Sequence, residues 1–237
     1  MYTSKYHRVF ESYKNIHKNE EAILFCTGPS LNDFEFNPTF DKCIKAGVNR
    51  IYNSDTISKT LDYYFFGSHY HIDHAHRNKI HALRHSNPHT QFFSSTFTAK
   101  FGDGRETGLG NITKNAALSL NSIPFEVGSP NSGPGIGWVK EIDKYPFYGG
   151  SIAFPAVQFL LHTGVKSIYL VGCDLGRHNQ HFYDNPPTTT STNDGPSTFY
   201  LSAWKKLPAF VKNNYPDCRI ISVNPRGLDG IFEKFEI

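Results

Sequence analysis

The segment HYHIDH, residues 69–74, places three histidines and one aspartate within six positions. This spacing suits a two-zinc hydrolase, in which neutral imidazoles and a carboxylate hold the metal and generate hydroxide. Such a site needs a further histidine near the end of the chain, and no histidine follows His181. The chain has 12 histidines, so the pattern arises easily by chance. We expect a solvated, histidine-rich helix here.

The segment TGPSL, residues 27–31, combines a glycine with two hydroxyl side chains directly after an apolar run. Backbone around such a glycine can approach a phosphate or a ribose closely. The segment lacks the lysine of a P-loop and the repeated glycines of a dinucleotide fingerprint. It predicts a nucleotide-binding turn, with a plain tight turn as the alternative.

The segment GGS, residues 149–151, precedes a predicted helix. Its amide groups and Ser151 would lie at the positive end of the helix dipole, which suits an anion. The alternative is that Ser151 only caps the helix.

The elements that must position these residues follow from apolar runs bounded by turn residues. Helices are predicted at 151–164, with Pro155 in its first turn, and at 198–215, where Pro208 should bend or break the helix. The predicted strands are 22–26, 43–53, 61–68, 90–96, 166–175 and 218–225.

This alternation predicts an α/β fold: a Rossmann-like, mostly parallel sheet flanked by helices. We expect a single α/β nucleotide-binding domain over 1–237, with a loop-rich insertion at 99–148 and a flexible lid loop at 185–197. Ligands of such sheets bind beyond the carboxyl ends of the strands. The residues expected near that rim are Thr27–Ser30, Asn49, Gly67–His69, Asp174 and Asn224.

Composition limits the class of protein. The net charge of +3 is too weak to predict binding to nucleic acid. The four cysteines form no C-x-x-C pair, and most lie in apolar runs, so we expect free thiols in a reducing compartment. The polar first residues predict no signal peptide, and no apolar run approaches the length of a transmembrane segment. We expect a soluble, cytoplasmic protein, and a homo-oligomer remains open.

Several segments occur in the order and spacing of one known group: TGPSL, then GGSIAFPAVQFLLHTGVKSIYLVGCDL, then HFYDN, then ISVNPRG. The chain resembles the bacterial sialyltransferases of glycosyltransferase family 42. It also resembles the related domain of unknown function 115, which includes archaeal 6-hydroxymethylpterin diphosphokinases. The resemblance covers most of the chain apart from 99–147.

The resemblance implies a metal-independent transfer from a CMP-type nucleotide-sugar donor to a glycan acceptor. The donor is a substrate, so no cofactor and no metal are expected. Asp174 would shape the pocket or orient a sugar hydroxyl. Gly150 and Ser151 would donate hydrogen bonds to the phosphate. Matched by motif, the donor-contacting positions are Thr27, Gly28, Pro29, Ser30, Asn49, Gly67, Ser68, Gly150 and Ser151.

The chain departs from the family pattern at several positions. Thr27 and Gly67 replace asparagines, and Gly176 replaces the nearer of two tyrosines that contact the departing phosphate, while Tyr183 can stand in for the other. The family's general base is a histidine whose position falls here near Tyr200. Tyrosine is a poor base at neutral pH, so either the chain is not an active transferase of this kind or a histidine from elsewhere serves as the base.

We assign the general base to His181, because HFYD places it beside Tyr183. His178, and His69 with His71, are the alternatives on the same rim. Three other functions stay open. They are an ATP- and magnesium-dependent diphosphokinase with Asp174 near the metal, a zinc hydrolase of the metallo-β-lactamase kind, and a non-catalytic nucleotide-binding module.

Overall fold

The computed structural model describes residues 7–67, 73–96, 120–128, 137–145, 147–148, 150–175, 181–184 and 195–235. Within these residues, nine strands form one sheet in which every neighbouring pair is parallel. The strands are β1 (Glu21–Phe25), β2 (Ile44–Val48), β3 (Tyr63–Phe66), β4 (Gln91–Thr96), β5 (Ile123–Gly128), β6 (Phe147–Tyr148), β7 (Ser167–Val171), β8 (Arg219–Val223) and β9 (Glu233–Phe235).

Both faces of the central strands are buried, which explains their continuous apolar sequences. Along β1, Ala22 and Leu24 face one hydrophobic core, while Ile23 and Phe25 face the other. Successive strand side chains point to opposite faces, so one run of apolar residues supplies two cores.

Helices cover both faces of the sheet. The described α-helices are α1 (Pro38–Asp41), α2 (Asp55–Ser58), α3 (His74–Ser86), α4 (Ala153–His162) and α5 (Gly195–Asn214), and 3₁₀ helices span His7–Tyr13, Pro29–Asp33 and Asn49–Asn53. Every residue of α4 is buried, and the helix packs on β1 and β2. Pro155 lies in its first turn, as predicted. Helix α5 continues through Pro208 instead of breaking there.

The strand order places a crevice where the site is expected. The order is β6-β5-β4-β3-β2-β1-β7-β8-β9, so the chain moves outward from β1 to β6 and then returns to β7 on the other side of β1. Connections leave the sheet in opposite directions at such a reversal, and ligands of open parallel sheets bind there. The reversal lies between β1 and β7.

The predicted α/β sheet is confirmed, and it is parallel throughout the described strands. Within the predicted loop-rich insertion, 99–148, the structure describes two short strands, β5 and β6, and most of the other residues lie outside the described ranges. Helix α5 begins at Gly195, inside the predicted lid, and 185–194 lie outside the described residues. The single-domain assignment stays a prediction. No described helix is both long and apolar enough to span a bilayer.

Candidate functional site

A pocket of about 210 Å³ opens at the strand reversal. It collects residues that follow β1, β2 and β7 and residues from the starts of α4 and α5. The lining residues are Cys26, Thr27, Gly28, Val48, Asn49, Ser151, Ala153, Gly172, Cys173, Asp174, Leu175, His181, Tyr200 and Trp204.

Asp174 holds the turn after β1 in place. Its Oδ2 accepts a hydrogen bond from the Ser30 amide, and its Oδ1 accepts one from the Ser30 hydroxyl, both at 2.7 Å. A Cβ atom on Gly28 would lie 2.5 Å from Asp174 Oδ2, so only glycine permits this approach. Burial raises the pKa of Asp174, although the hydrogen bonds from Ser30 oppose that rise. Ser30 of the TGPS motif and Asp174 therefore form a hydrogen-bonded pair, the Ser30–Asp174 clamp.

Asn49 connects the ends of β2 and β3 through hydrogen bonds. It adopts a left-handed φ of 47°, a conformation that asparagine tolerates better than most residues. Its Oδ1 accepts a hydrogen bond from the Gly67 amide at 3.2 Å, and its carbonyl oxygen accepts one from the Tyr64 hydroxyl. The side-chain nitrogen of Asn49 is then the group that can donate to a ligand.

The start of α4 forms another wall of the pocket. Ser151 Oγ accepts a hydrogen bond from the Ala153 amide at 3.3 Å, but the N-cap residue of α4 is Ile152, so Ser151 lies one position before the cap. Gly150 has a φ of +111°, and a Cβ there would lie 2.8 Å from the Phe199 ring. The Tyr200 hydroxyl donates to the Gly150 carbonyl oxygen at 3.4 Å. Side chains of α5 therefore fix the segment proposed to hold the phosphate.

His181 is held beside the turn after β1. Its Nδ1 lies 3.2 Å from Thr27 Oγ1, and its ring stacks on Tyr183 with centroids 5.0 Å apart. The Phe182 amide donates to the Thr27 carbonyl oxygen at 3.0 Å, and the His181 amide donates to Asp184 Oδ2 at 2.8 Å. Burial lowers the pKa of His181, so the ring is neutral at neutral pH, although Asp184 acts in the opposite direction.

Arg50 supports this arrangement and was missed by sequence reasoning. Its guanidinium carbon lies 5.7 Å from the centroid of the Tyr183 ring, and its charge lowers the pKa of His181. Arg50 Nη2 lies 2.8 Å from His76 Nε2, and the Tyr52 hydroxyl bonds His76 Nδ1. Burial, followed by Arg50, lowers the pKa of His76, so a neutral ring accepts from the guanidinium. In the sequence, the only indication of a role for Arg50 was its position directly after Asn49, at the end of a strand.

Two aromatic residues of α5 also line the pocket, Tyr200 and Trp204. They lie four residues apart and therefore on one face of the helix. Trp204 packs edge-on against Phe154, with ring centroids 5.1 Å apart, so the wall is fixed by the core. The sequence named Tyr200 only as the position of a missing base. The four-residue spacing of Tyr200 and Trp204 is visible in the sequence, but the position of α5 over the pocket is visible only in the structure.

The structure brings together six predicted site residues on the pocket wall: Thr27, Gly28, Asn49, Ser151, Asp174 and His181. Others lie behind or beside that wall, namely Pro29, Ser30, Gly67, Gly150 and Tyr183. Outside the described residues lie Ser68, His69, His71, Gly149, Gly176 and His178.

The zinc hypothesis depends largely on residues that the structure does not describe. Of HYHIDH, Asp73 and His74 are described, and they belong to the start of α3, which Asp73 caps through the Ala75 and His76 amides. The described part of the chain contains no group of three or more His, Cys, Asp or Glu side chains able to hold a metal ion. His69 and His71 lie outside the described residues.

Solved structures with a similar architecture are sialyltransferases. The enzyme CstII from Campylobacter jejuni, in complex with the substrate analogue CMP-3FNeuAc, is 15% identical over 91% of this chain and 86% of its own, with a TM-score of 0.56. CST-II with a trisaccharide acceptor and CMP is 12% identical over 86% and 80%, with a TM-score of 0.54. The monofunctional α-2,3-sialyltransferase Cst-I from Campylobacter jejuni is 16% identical over 86% and 75%, with a TM-score of 0.52.

This chain has the fold of these sialyltransferases. No protein-family model matches it, and no curated protein matches it by sequence. At identities of 12–16% the likeness establishes the Rossmann-like fold and leaves the chemistry to the site residues.

Proposed function

We propose that this chain is a glycosyltransferase of the sialyltransferase type, which moves a sugar from a CMP-type donor to a hydroxyl group of a glycan acceptor without a metal ion. The observation that carries the proposal is the convergence of six residues, from five separate chain segments, on one pocket at the strand reversal. The shared fold supports it, since CstII has been solved with CMP-3FNeuAc at a comparable coverage.

In this proposal the nucleotide lies across the ends of β1 and β2. The backbone at Gly28 admits a close approach, and Thr27 and Asn49 supply polar side chains. The phosphate lies at the start of α4, where free amide groups and the positive end of the helix dipole favour an anion. Tyr200 offers a ring face on which a base or a sugar can stack, while Trp204, which is only 2% exposed, supports the pocket wall from the core.

His181 acts as the general base. The acceptor oxygen attacks the anomeric carbon, the bond from that carbon to the phosphate oxygen breaks, and the acceptor proton passes to His181. The tautomer that can accept this proton donates Nδ1–H to Thr27 Oγ1 and keeps the lone pair on Nε2. Burial keeps the ring neutral and therefore ready to accept a proton.

Asp174 and Tyr183 are positioning residues in this scheme. Both carboxylate oxygens of Asp174 accept hydrogen bonds from Ser30, which favours a structural role over a magnesium-binding one. Tyr183 stacks on His181 and lies under Arg50, which favours orientation of the base over direct contact with the phosphate. The diphosphokinase alternative therefore has less support from the site.

A donor-turnover assay tests the proposal. The full chain is incubated with a CMP-linked sugar, with and without a panel of glycan acceptors, and the released CMP is measured. We expect CMP release that acceptors accelerate and that a chelator leaves unchanged. Binding of CMP without any release would instead support the non-catalytic module. A requirement for magnesium and ATP would support the diphosphokinase.

A further inference from the structure

Two thiols lie on the wall of the pocket, and the proposed reaction uses neither. Cys26 follows β1 and Cys173 follows β7, and they are 7% and 9% exposed. Both belong to the hydrophobic core on the α4 side of the sheet. The other two cysteines lie away from the pocket, since Cys43 is in the opposite core and Cys218 directly precedes β8.

The backbone places these two cysteines side by side. Strands β1 and β7 are paired with Phe25 opposite Val171, and the ladder continues through Cys26 N to Val171 O at 2.8 Å and Gly28 N to Gly172 O at 2.7 Å. Parallel strands lie about 4.8 Å apart and rise about 3.3 Å per residue, which puts the two Cα atoms roughly 6 Å apart. Disulfides bridge Cα atoms at roughly this separation.

Both side chains lie on the same side of the sheet. Gly172 separates Val171 from Cys173 and has a φ of +63°, so the chain turns at the end of β7. Cys26 and Cys173 therefore both reach the hydrophobic core on the α4 side. The neighbouring Cys26 thiol, together with burial, raises the pKa of Cys173 well above its usual value.

We infer that Cys26 and Cys173 form a dithiol site in the pocket, which closes to a disulfide with a two-electron oxidant of the peroxide class. The thiols lose two protons and two electrons in total, and one S–S bond forms. The peroxide O–O bond breaks, and its two oxygen atoms leave as two water molecules. Peroxide is small enough to enter a pocket of about 210 Å³.

Cys173 supplies little thiolate at neutral pH and more as the pH rises. The attacking species is a thiolate, and a raised pKa keeps Cys173 protonated at neutral pH. Raising the pH through that pKa increases the thiolate fraction. The pair is therefore a latent modification site and differs from a reactive catalytic cysteine.

Closure of the disulfide would disturb the pocket. Cys26 immediately precedes Thr27, and Cys173 immediately precedes Asp174, so the bridge joins the two segments that the Ser30–Asp174 clamp already connects. Gly28 and Asp174 have no spare room between them, because even a Cβ on Gly28 would lie 2.5 Å from Asp174 Oδ2. The dithiol site of Cys26 and Cys173 can exist whether or not the proposed function is correct.

Peptide mapping of the full chain tests the inference. The protein is treated with hydrogen peroxide at mildly alkaline pH, alkylated without reduction and digested. We expect one disulfide, between the Cys26 and Cys173 peptides. Phenylarsine oxide, which needs two adjacent thiols, should bind once per chain. The bridge should persist in a Cys43→Ser, Cys218→Ser variant, and Cys26→Ser or Cys173→Ser should remove it. Free Cys26 and Cys173 in wild-type protein, with Cys43 or Cys218 oxidised instead, would overturn the inference.

A binding titration tests the consequence. Calorimetry with CMP is run on reduced, oxidised and re-reduced protein. We expect oxidation to weaken CMP binding by about tenfold or more, and a thiol reductant to restore it. Equal affinity in both forms would contradict coupling to the pocket. If CMP binds to neither form, the proposed function fails, while the peptide map still decides whether the dithiol exists.

Discussion

Two regions of the pocket are held in different ways. The clamped rim, formed by Thr27–Asp33 and Asp174, carries two hydrogen bonds of 2.7 Å to a half-buried carboxylate and a ladder bond of 2.7 Å. The histidine segment, His181–Asp184, contacts that rim through bonds of 3.0 and 3.2 Å. The sheet thus builds the binding surface directly, whereas the proposed base is attached to it by a few polar contacts. Changes in the rim should affect binding, and changes in the segment should affect rate.

The largest expected effect is on turnover, in the histidine segment. His181→Ala should lower the rate of transfer by about 10²- to 10⁴-fold, since it removes the proton acceptor. CMP affinity should change little, because the rim is intact. His85→Ala, an exposed histidine on α3, is the matched control and should retain wild-type activity. A His181→Ala enzyme with full activity and the same acidic limb would exclude His181 as the base.

Gly28→Ala tests the clamped rim. Gly28 has a φ of −72°, so alanine meets no backbone strain, but its Cβ would collide with Asp174. We expect CMP affinity to fall by about 10- to 100-fold, because the turn or Asp174 must move. Gly230→Ala, at an exposed glycine where an added Cβ would meet nothing within 4 Å, is the control and should keep wild-type affinity. Calorimetry measures both variants, and equal affinities in wild type and Gly28→Ala would show that nucleotide does not use this rim.

Two substitutions of Asp174 distinguish a structural role of this residue from a chemical one. Asparagine can still accept from the Ser30 amide and donate to the Ser30 hydroxyl, so Asp174→Asn should keep CMP binding and activity. Asp174→Ala leaves both Ser30 groups without their acceptor and should destabilise the protein by about 1–3 kcal/mol. Denaturant unfolding and the turnover assay measure these effects. Loss of activity in Asp174→Asn, with the fold intact, would favour a metal or acid–base role.

The pH dependence of stability offers a check on the same carboxylate. Burial raises the pKa of Asp174 above its ordinary value of 3.8, so the folded protein keeps this proton to a higher pH than the unfolded chain does. The contribution of Asp174 to stability therefore falls as the pH rises from the unfolded pKa through the folded one. At neutral pH, Asp174→Asn should be at least as stable as wild type in chemical unfolding. A marked loss of stability would mean that the charge itself stabilises the turn.

The smallest expected effects concern the pKa of His181. Burial lowers it below 6.5, so the acidic limb of the pH–rate profile should lie below that value. Arg50→Met should raise the pKa, because it removes a nearby positive charge, and Asp184→Asn should lower it further. NMR titration of the His181 ring measures both shifts without requiring activity. Shifts in the same direction for the two variants would contradict the geometry of this segment.

Sequence reasoning recovered the central sheet because its strands are apolar runs bounded by turns. Strands β1, β2, β3, β4, β7 and β8 and helices α4 and α5 all lie within or near their predicted ranges. It missed β5, β6 and β9, since Ile123–Gly128 contains Pro and Gly and the other two strands have only two and three residues. Strands this short or interrupted have no periodic signal, and only their pairing with neighbouring strands defines them.

The candidate site was most directly predictable where residues follow strands. Thr27, Asn49 and Asp174 were identified by position, because parallel strands bring their carboxyl ends to one rim. Arg50, Tyr200 and Trp204 depend on tertiary placement: Arg50 on the Tyr183 ring, and the two aromatic residues on how α5 crosses the pocket. The partnership of Ser30 with Asp174 spans 144 residues and likewise required the fold.

Calorimetric titration of the full chain with CMP tests the central claim most directly. The account predicts saturable binding at one site, and a ligand at 100 times its dissociation constant should add about 2.7 kcal/mol to the free energy of unfolding. Ser30→Trp, which places a bulky ring within the clamp, should abolish the binding. A dissociation constant of about 1 mM corresponds to a binding free energy of only about 4 kcal/mol. If CMP at that concentration produces neither heat nor thermal stabilisation, the result contradicts a nucleotide pocket at this rim.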